Sequence, residues 1–509
     1  MNITTPFTLK PHFYLRATIV ACLISVVAWA QPQKFQKVYG GYSYDQGNDL
    51  IQLPDTGYLL LCTSGSFSSS ADIYLLKVDK QGNYEWQHTY GGQDIEGACK
   101  IKLTQDGHIA MAGHTNSYPG KSYDFYLVKA ALNGDTVWTK HYGSNEWDFA
   151  NSMDTCADGG FIMAGKTYDT GNAFSDILIV KTDADGNELW QKKIGGNKDD
   201  VANSIISLVD GYILCGTTES IGAGGKDIYV VKVDLNGNVI WERTLGGAED
   251  DVGNSAVITF DGKILCAGGV KSFGFPLNFN SYLMKLNADG TDFWSPPGNF
   301  SASTVNFEIV DIVESNTNQI VSISDFDSNG LSNGEFGLFI NDSNGYLETS
   351  STFGGSLIEK PHSIIRCFDK GYAILGVTTS FGLGLENIFL VKTDTLGSSN
   401  LTMSILVGES DKSYAPINEQ NVFFPNPFQS IATLTLEGRN VDIHSKSLQL
   451  NLFNEVGSSI YHGIDFEIAQ NGKDVVINIT NLTLSDGIYF YHLIANDKTI
   501  AQGKFTVIK

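Results

Sequence analysis

One short motif returns along this sequence at a nearly constant interval. Gly40-Gly41, Gly91-Gly92, Gly143-Ser144, Gly195-Gly196 and Gly246-Gly247 stand 51 or 52 residues apart, and Gly354-Gly355 follows Gly246 by 108, two intervals of 54. Trp86, Trp138, Trp190, Trp241 and Trp294 keep the same step, 51 to 53. Self-similarity at a fixed period marks a chain of like units, none of which can bury its own apolar surface. The 509 residues therefore do not divide into the roughly three unrelated domains that length alone suggests.

Within a unit, four short segments have strand character. In the fourth they are Asn203–Val209, Tyr212–Thr218, Asp227–Asp234 and Val239–Leu245, with Asp210-Gly211 and Leu235-Asn236-Gly237 as two of the turns. Asp-Gly and Asn-Gly supply the positive φ that tight hairpins need. Alternation such as Ile228-Val230 against Tyr229-Val231 leaves both faces of the sheet apolar. Such sheets are sheltered only by stacking face to face around an axis until the ring closes, which is a β-propeller. A degenerate unit (Asn318–Ile323, Phe336–Ile340) and a last one (Gly371–Thr379, Ile388–Asp394) bring the count to seven blades. The last unit lacks a fourth strand, and Phe35-Gln36-Lys37-Val38-Tyr39 supplies one, so the two ends of the propeller are expected to pair and remove the open edge.

Composition agrees with many turns and few helices, with 54 Gly against 12 Pro. The net charge of −23 repels phosphate backbones, so nucleic acid is excluded as a partner. Cys62, Cys215 and Cys266 occupy one place in the repeat and Cys156 and Cys367 another. Equivalent sites in different repeats are expected to lie too far apart to bridge, and these read as buried thiols. At the start, Lys10 and Arg16 precede the apolar run Ile19 to Trp29, which ends in Ala28-Trp29-Ala30. This reads as a signal peptide, residues 1–30, cut after Ala30. Lipid attachment at Cys22 would leave only about five apolar residues before the cysteine, short of the usual 7–15. No other stretch is long enough for a transmembrane helix.

The units also resemble a known group. Asp-Gly-Gly-Phe-Ile-Met-Ala-Gly-Lys-Thr (158–167), Asp-Ile-Leu-Ile-Val-Lys-Thr-Asp (176–183) and Gly-Asn-Glu-Leu-Trp (186–190) are similar to the propeller repeats of secreted Bacteroidetes proteins, a likeness that informs fold rather than activity. The propeller is placed at 31–400, a polar linker at 401–420, and a different domain at 421–509. In that domain the alternation of Leu448–Phe453, Val475–Ile479 and Gly487–His492 predicts a small β-sandwich. Pro425-Asn426-Pro427-Phe428, Leu450-x-Leu452-Phe453-Asn454-x-x-Gly457, Gly487-Ile488-Tyr489-Phe490-Tyr491 and the ending Lys504 to Lys509 resemble the type A sorting domain of the type IX secretion system. That resemblance implies the outer-membrane translocon and a sortase as partners, and a product that is secreted or attached at the outer-membrane surface.

Chemistry is sparse. The propeller histidines show no metal-ligand spacing, there is no Gly-x-Ser-x-Gly elbow, and Gly222-Ala223-Gly224-Gly225 joins two strands rather than opening a helix. Asp79-x-x-Gly82-x-x-x-Trp86, Asp183-x-x-Gly186-x-x-x-Trp190 and Asp234-x-x-Gly237-x-x-x-Trp241 resemble the Trp-docking motif of quinoprotein propellers, where it is structural. Asp183-x-Asp185-Gly186-Asn187 allows a structural calcium, but it lacks the distal Glu of a full loop, and a turn is the favoured reading. No other cofactor is indicated.

One set of residues offers a site. An acid stands at one position in six units (Asp45, Glu96, Asp148, Asp200, Asp251, Glu359), and a second polar position opens the third strand (Asp72, Asp124, Asp176, Asp227, Asn280, Glu335, Asn387). Both fall on the face that carries the loops entering strand one and joining strands two and three, where binding usually sits. That face is expected to bind a cation, a polycationic protein or a glycan, unless each carboxylate merely caps its own turn, the reading that recurrence in every blade favours. The function expected is a non-enzymatic binding or structural module. The alternative is a carbohydrate-active or other hydrolytic propeller, which requires two carboxyls about 5–9.5 Å apart in a pocket.

Overall fold

The computed structural model describes residues 33–399 apart from 69, 119–121, 169–172, 274–277, 295–298, 302–306, 327–333, 356 and 383–384, and beyond them nine further strands. Every regular element among the described residues is a strand, and no helix is long and apolar enough to cross a membrane. The strands of residues 35–392 form seven antiparallel sheets, which are the seven expected blades. Blade 4 consists of Asp200–Leu208, Gly211–Thr218, Asp227–Val233 and Val239–Leu245. Its first strand starts three residues before the expected Asn203, because Asp200 already pairs with Thr218.

The seventh blade closes the ring as expected. Phe35–Gly40 is its fourth strand, antiparallel to Asn387–Lys392, with Val38 opposite Phe389. A fifth strand, Met403–Val407, lies within the segment read as linker and adds parallel to the outer edge of Phe35–Gly40. Parallel pairing between positions so distant in sequence leaves no local pattern to read.

Instead of one core, the propeller has seven apolar layers, each shared by two neighbouring blades. Val38 and Phe389 are fully buried in the layer between blades 6 and 7. The tryptophans couple successive blades. The half-buried Trp138 of blade 2 lies over Gly186 of blade 3, Trp190 over Gly237, and Trp241 over Gly290, so closely that a Cβ on these glycines would fall within 2.8 Å of the rings. Gly186 also has φ +74°, so the turn demands glycine on two counts. Phe35 takes the tryptophan's place at the closure, over Gly82.

The six described cysteines are free. Cys215 and Cys266 nevertheless share the layer between blades 4 and 5. Adjacent equivalents therefore do meet, because stacked blades bring the same strand position face to face.

Beyond the propeller, two four-stranded antiparallel sheets are described, one containing Ile431–Thr435 and Asp474–Asn478, the other Gln449–Phe453, Gly487–Ala495 and Lys498–Val507. Gly487 and Lys504 lie on paired strands of the second sheet, and Tyr489 is buried there. Ala30, Pro425, Asn426, Pro427, Gly457 and Lys509 fall outside the described residues, as does what the expected sandwich needs to join its two sheets.

Candidate functional site

The carboxylates of the first set sit where a blade's outer strand returns to the axis. Asp45, Glu96, Asp148, Asp200, Asp251 and Glu359 are all buried, at 0 or 1% exposure. Each accepts the backbone N–H of the second residue of its own glycine motif (Gly41, Gly92, Ser144, Gly196, Gly247, Gly355) at 2.5–2.9 Å. Most also accept a hydroxyl from the end of the second strand or just after it: Ser64 to Asp45, Thr115 to Glu96 at 2.5 Å, Ser220 to Asp200 at 2.7 Å and Thr378 to Glu359 at 2.7 Å. The geometry is that of turn caps.

The backbone N–H of the same residue makes a second tie. Asp45, Glu96, Asp148, Asp200, Asp251, Phe307 and Glu359 each donate to a carbonyl of the preceding blade (Glu386, Ala71, Tyr123, Ser175, Lys226, Phe279, Gly334) at 2.6–3.1 Å, one bond across every blade interface. This brings the second polar set against the first. A Cβ on Gly91 would touch both Glu96 and Asp72, one on Gly195 both Asp176 and Asp200, and one on Gly246 both Asp227 and Asp251. Burial, then the hydrogen bond and charge of Glu96, push Asp72 up to about 6. Burial likewise raises Asp124, Asp148, Asp176 and Asp227. In blades 5 and 7 an amide, Asn280 or Asn387, stands in the second position.

The motif read as tryptophan docking or calcium binding is also a cap. Asp183 accepts the N–H groups of Asp185 at 3.0 Å and Asn187 at 2.8 Å, and Asp79 and Asp234 repeat the arrangement. Among the described residues no three His, Cys, Asp or Glu side chains gather in a way that could hold a metal ion.

The axis is lined by first strands, and each carries a bulge at Asn48, Cys99, Asn151, Asn203, Asn254, Val310 or His362. Three bulge amides reach the next blade: Asn151 donates to the Ala202 carbonyl at 3.0 Å, Asn203 to Gly253 at 2.9 Å and Asn254 to Ile309 at 2.9 Å. One residue further on, the lining is uneven. Asp49 accepts from the Lys100 ammonium at 3.2 Å, the Ile101 N–H at 2.9 Å and Ser363 Oγ at 2.6 Å. Asp311 accepts from Ser255 Oγ at 2.7 Å, Ser363 Oγ at 3.3 Å and the Ile364 N–H at 3.1 Å. Burial pulls Lys100 down, but Asp49 and Asp311 more than offset it and hold its pKa above the ordinary value. Sharing Ser363, these are two carboxyls close together on the axis, and both oxygens of each accept hydrogen bonds from neighbouring blades.

Sequence reasoning passed over a group of aromatic side chains on the same face. His114, Tyr123, Trp147, Phe149 and Tyr168 are linked ring to ring into one group by centroid distances of 4.9–6.5 Å, at the junction of blades 2 and 3. They stand at five different places in the repeat, so no single spacing gathers them. The one available signal was Trp147, whose position holds Tyr44, Ile95, Asp199, Asp250 and Ile358 in other blades.

Residues 422–509 match the family described as the secretion system C-terminal sorting domain. No curated protein matches the sequence. Among solved structures the chain is similar to Drosophila Plexin A in complex with Semaphorin 1b (10% identity, 72% of this chain and 87% of that one, TM-score 0.44). The WD40 β-propeller domain of Doa1 is a second (13% identity, 71% and 96%, TM-score 0.43). A Penicillium chrysogenum α-L-arabinanase complexed with arabinobiose is a third (11% identity, 58% and 92%, TM-score 0.41).

Proposed function

We propose that this chain, a seven-bladed propeller with a type IX secretion system C-terminal sorting domain, is an exported binding module whose tail is its ticket out of the cell and whose propeller is the cargo. The tail match carries the export half of this reading. A sorting domain fixes destination, a secreted or surface-attached protein, and leaves activity to the cargo.

For the cargo, the supporting observation is where the acids have gone. The six recurring carboxylates are turn caps, and the axial pair Asp49 and Asp311 joins blades, so these eight acids have structural partners, which supports a binding module over acid–base chemistry. What remains is a rigid ring with differing loops on one face, the usual form of a recognition surface.

The export half is tested in a host that has the type IX machinery, by comparing the full chain with one lacking 422–509. Full-length protein should reach the medium or the outer surface, and the truncated one should be retained in the periplasm. Equal export of both would overturn it. The binding half is tested by presenting the exported protein to protein and glycan arrays. No retained partner on either would count against a binding module.

A further inference from the structure

At the position just before the capping acid, the mouth of the ring has two unlike halves. Blades 7, 1, 2 and 3 carry Ile358, Tyr44, Ile95 and Trp147, all exposed, whereas blades 4 and 5 carry Asp199 and Asp250. Trp147 is 54% exposed and yet firmly seated. Tyr123, Phe149 and Tyr168 meet its ring at 86–89°, so three aromatic neighbours fix its plane. A flat apolar surface held still in water is costly to maintain and marks a contact site.

The occupant can be narrowed by charge. An aromatic cluster of this kind suits a quaternary ammonium. Here the cluster already has its cation, because the Lys166 ammonium lies 5.5 Å over Phe149 and 5.4 Å over Tyr168. A second cation would be repelled, and an anion would meet Glu146 and the acidic surface of a chain of net charge −23. Burial lowers His114 to about 4, so it adds no charge near neutral pH. The ligand that fits is uncharged, with one apolar face.

It also needs hydroxyls. The loop that ends in Trp147 begins as the wall of a cleft of about 390 Å³, whose lining includes Ser144, Asn145, Asp148, Thr167, Gln191 and Lys193, the last with its charge balanced by Asp176. These are mostly hydrogen-bonding side chains, and the volume lies at the lower end for a small-molecule site. A pyranose has both parts, a patch of C–H groups on one ring face and hydroxyls around its rim.

We propose that the loop 143–147 is a saccharide subsite: an uncharged pyranose stacks on Trp147 while its hydroxyls, or those of the next sugar, bond the polar side chains of the adjoining cleft. This rests on the binding-module reading and names its ligand class.

The test presents the exported protein to immobilised neutral hexose and N-acetylhexosamine oligosaccharides, with proline-rich peptides and a protein array alongside. Wild type should retain at least one neutral glycan. Trp147→Ala should weaken it tenfold or more, Gln191→Ala a few-fold, and Tyr346→Ala, an exposed residue in the turn after a third strand, not at all. If Trp147→Ala lowers the melting temperature, Trp147→Phe replaces it and should keep part of the affinity. Glycan binding indifferent to Trp147 overturns the proposal. So does retention only of peptides or proteins, which would leave the binding-module reading standing. Silence on every array would remove both.

Discussion

A single buried carboxylate shows what the recurring acids do. Asp200 is 1% exposed and accepts the Gly196 N–H at 2.9 Å and Ser220 Oγ at 2.7 Å. Asp200→Ala leaves both donors without this acceptor; Gly196 is exposed and Ser220 partly buried, so the loss is about 1 kcal/mol, that of an ordinary hydrogen bond. A urea titration should show that loss with an unchanged slope, and a neutral result would mean that water replaces the carboxylate. Asp72 works in the opposite sense. Its folded pKa, near 6, lies above the ordinary 3.8, so between these values the folded chain holds a proton that the unfolded chain releases. Stability from this group is therefore present below about pH 4, declines as pH rises through about 6, and stays reduced above. Asn280 and Asn387, amides at the same position, avoid the effect. Asp72→Asn should accordingly raise the melting temperature at pH 7.5 and leave it almost unchanged at pH 4. An equal shift at both values would show that neither burial nor Glu96 raises its pKa.

At the scale of the blade, the sixth is the exception that explains the others. In the remaining six, a nearly buried third-strand lysine pairs with an aspartate in or beside the first turn: Lys77–Asp55, Lys129–Asp106, Lys181–Asp158, Lys232–Asp210, Lys285–Asp261 and Lys392–Asp369, at 2.7–3.1 Å. In blade 6 the lysine's place holds Ile340. Blade 6 also carries no tryptophan to bury against the next blade. Local opening follows local burial. In native-state hydrogen exchange the amides of Phe307–Glu314 and Ile320–Phe326 should lose protection before those of Tyr58–Ser64 in blade 1, and uniform protection would mean that the ring opens only as a whole. Much of this was open to reading along the chain, because a blade is local: its turns, its alternation and its period occur within about fifty consecutive residues. Asp-x-x-Gly before Trp86, Trp190 and Trp241 announced a turn, and the turn is there. What could not be read was where a polar side chain goes once blades stack. Recurrence already favoured turn caps for the acids, but polarity alone does not say whether a capping carboxylate is at the surface or buried. The cluster around Trp147 was hidden for the same reason, since it draws on two blades and five repeat positions.

For the whole molecule, the decisive feature is how the ring ends. Phe35–Gly40 closes blade 7 and would present its outer edge to solvent, as the fourth strand of each other blade does; among the described residues only this edge is covered by a further strand. Met403–Val407 covers it by parallel pairing from Gln36↔Met403 to Gly40↔Val407. The covering strand lies beyond the last repeat and before the sorting domain at 422–509, so removal of that domain could either spare or strip it. Cleavage upstream of Met403 would expose the closing strand at the moment the protein is released, when nothing remains to protect it. If the sorting domain is removed after export, the product is therefore expected to end beyond Val407, within 408–421, which mass spectrometry of the exported protein's C-terminal peptide would show. Two engineered ends test the reason for it. A chain stopped at residue 410 should stay monomeric in light scattering, whereas one stopped at 400 should self-associate and melt several degrees lower. If both behave alike, and the natural product ends before Met403, the fifth strand of blade 7 has no protective role and closure rests on Val38 and its layer alone.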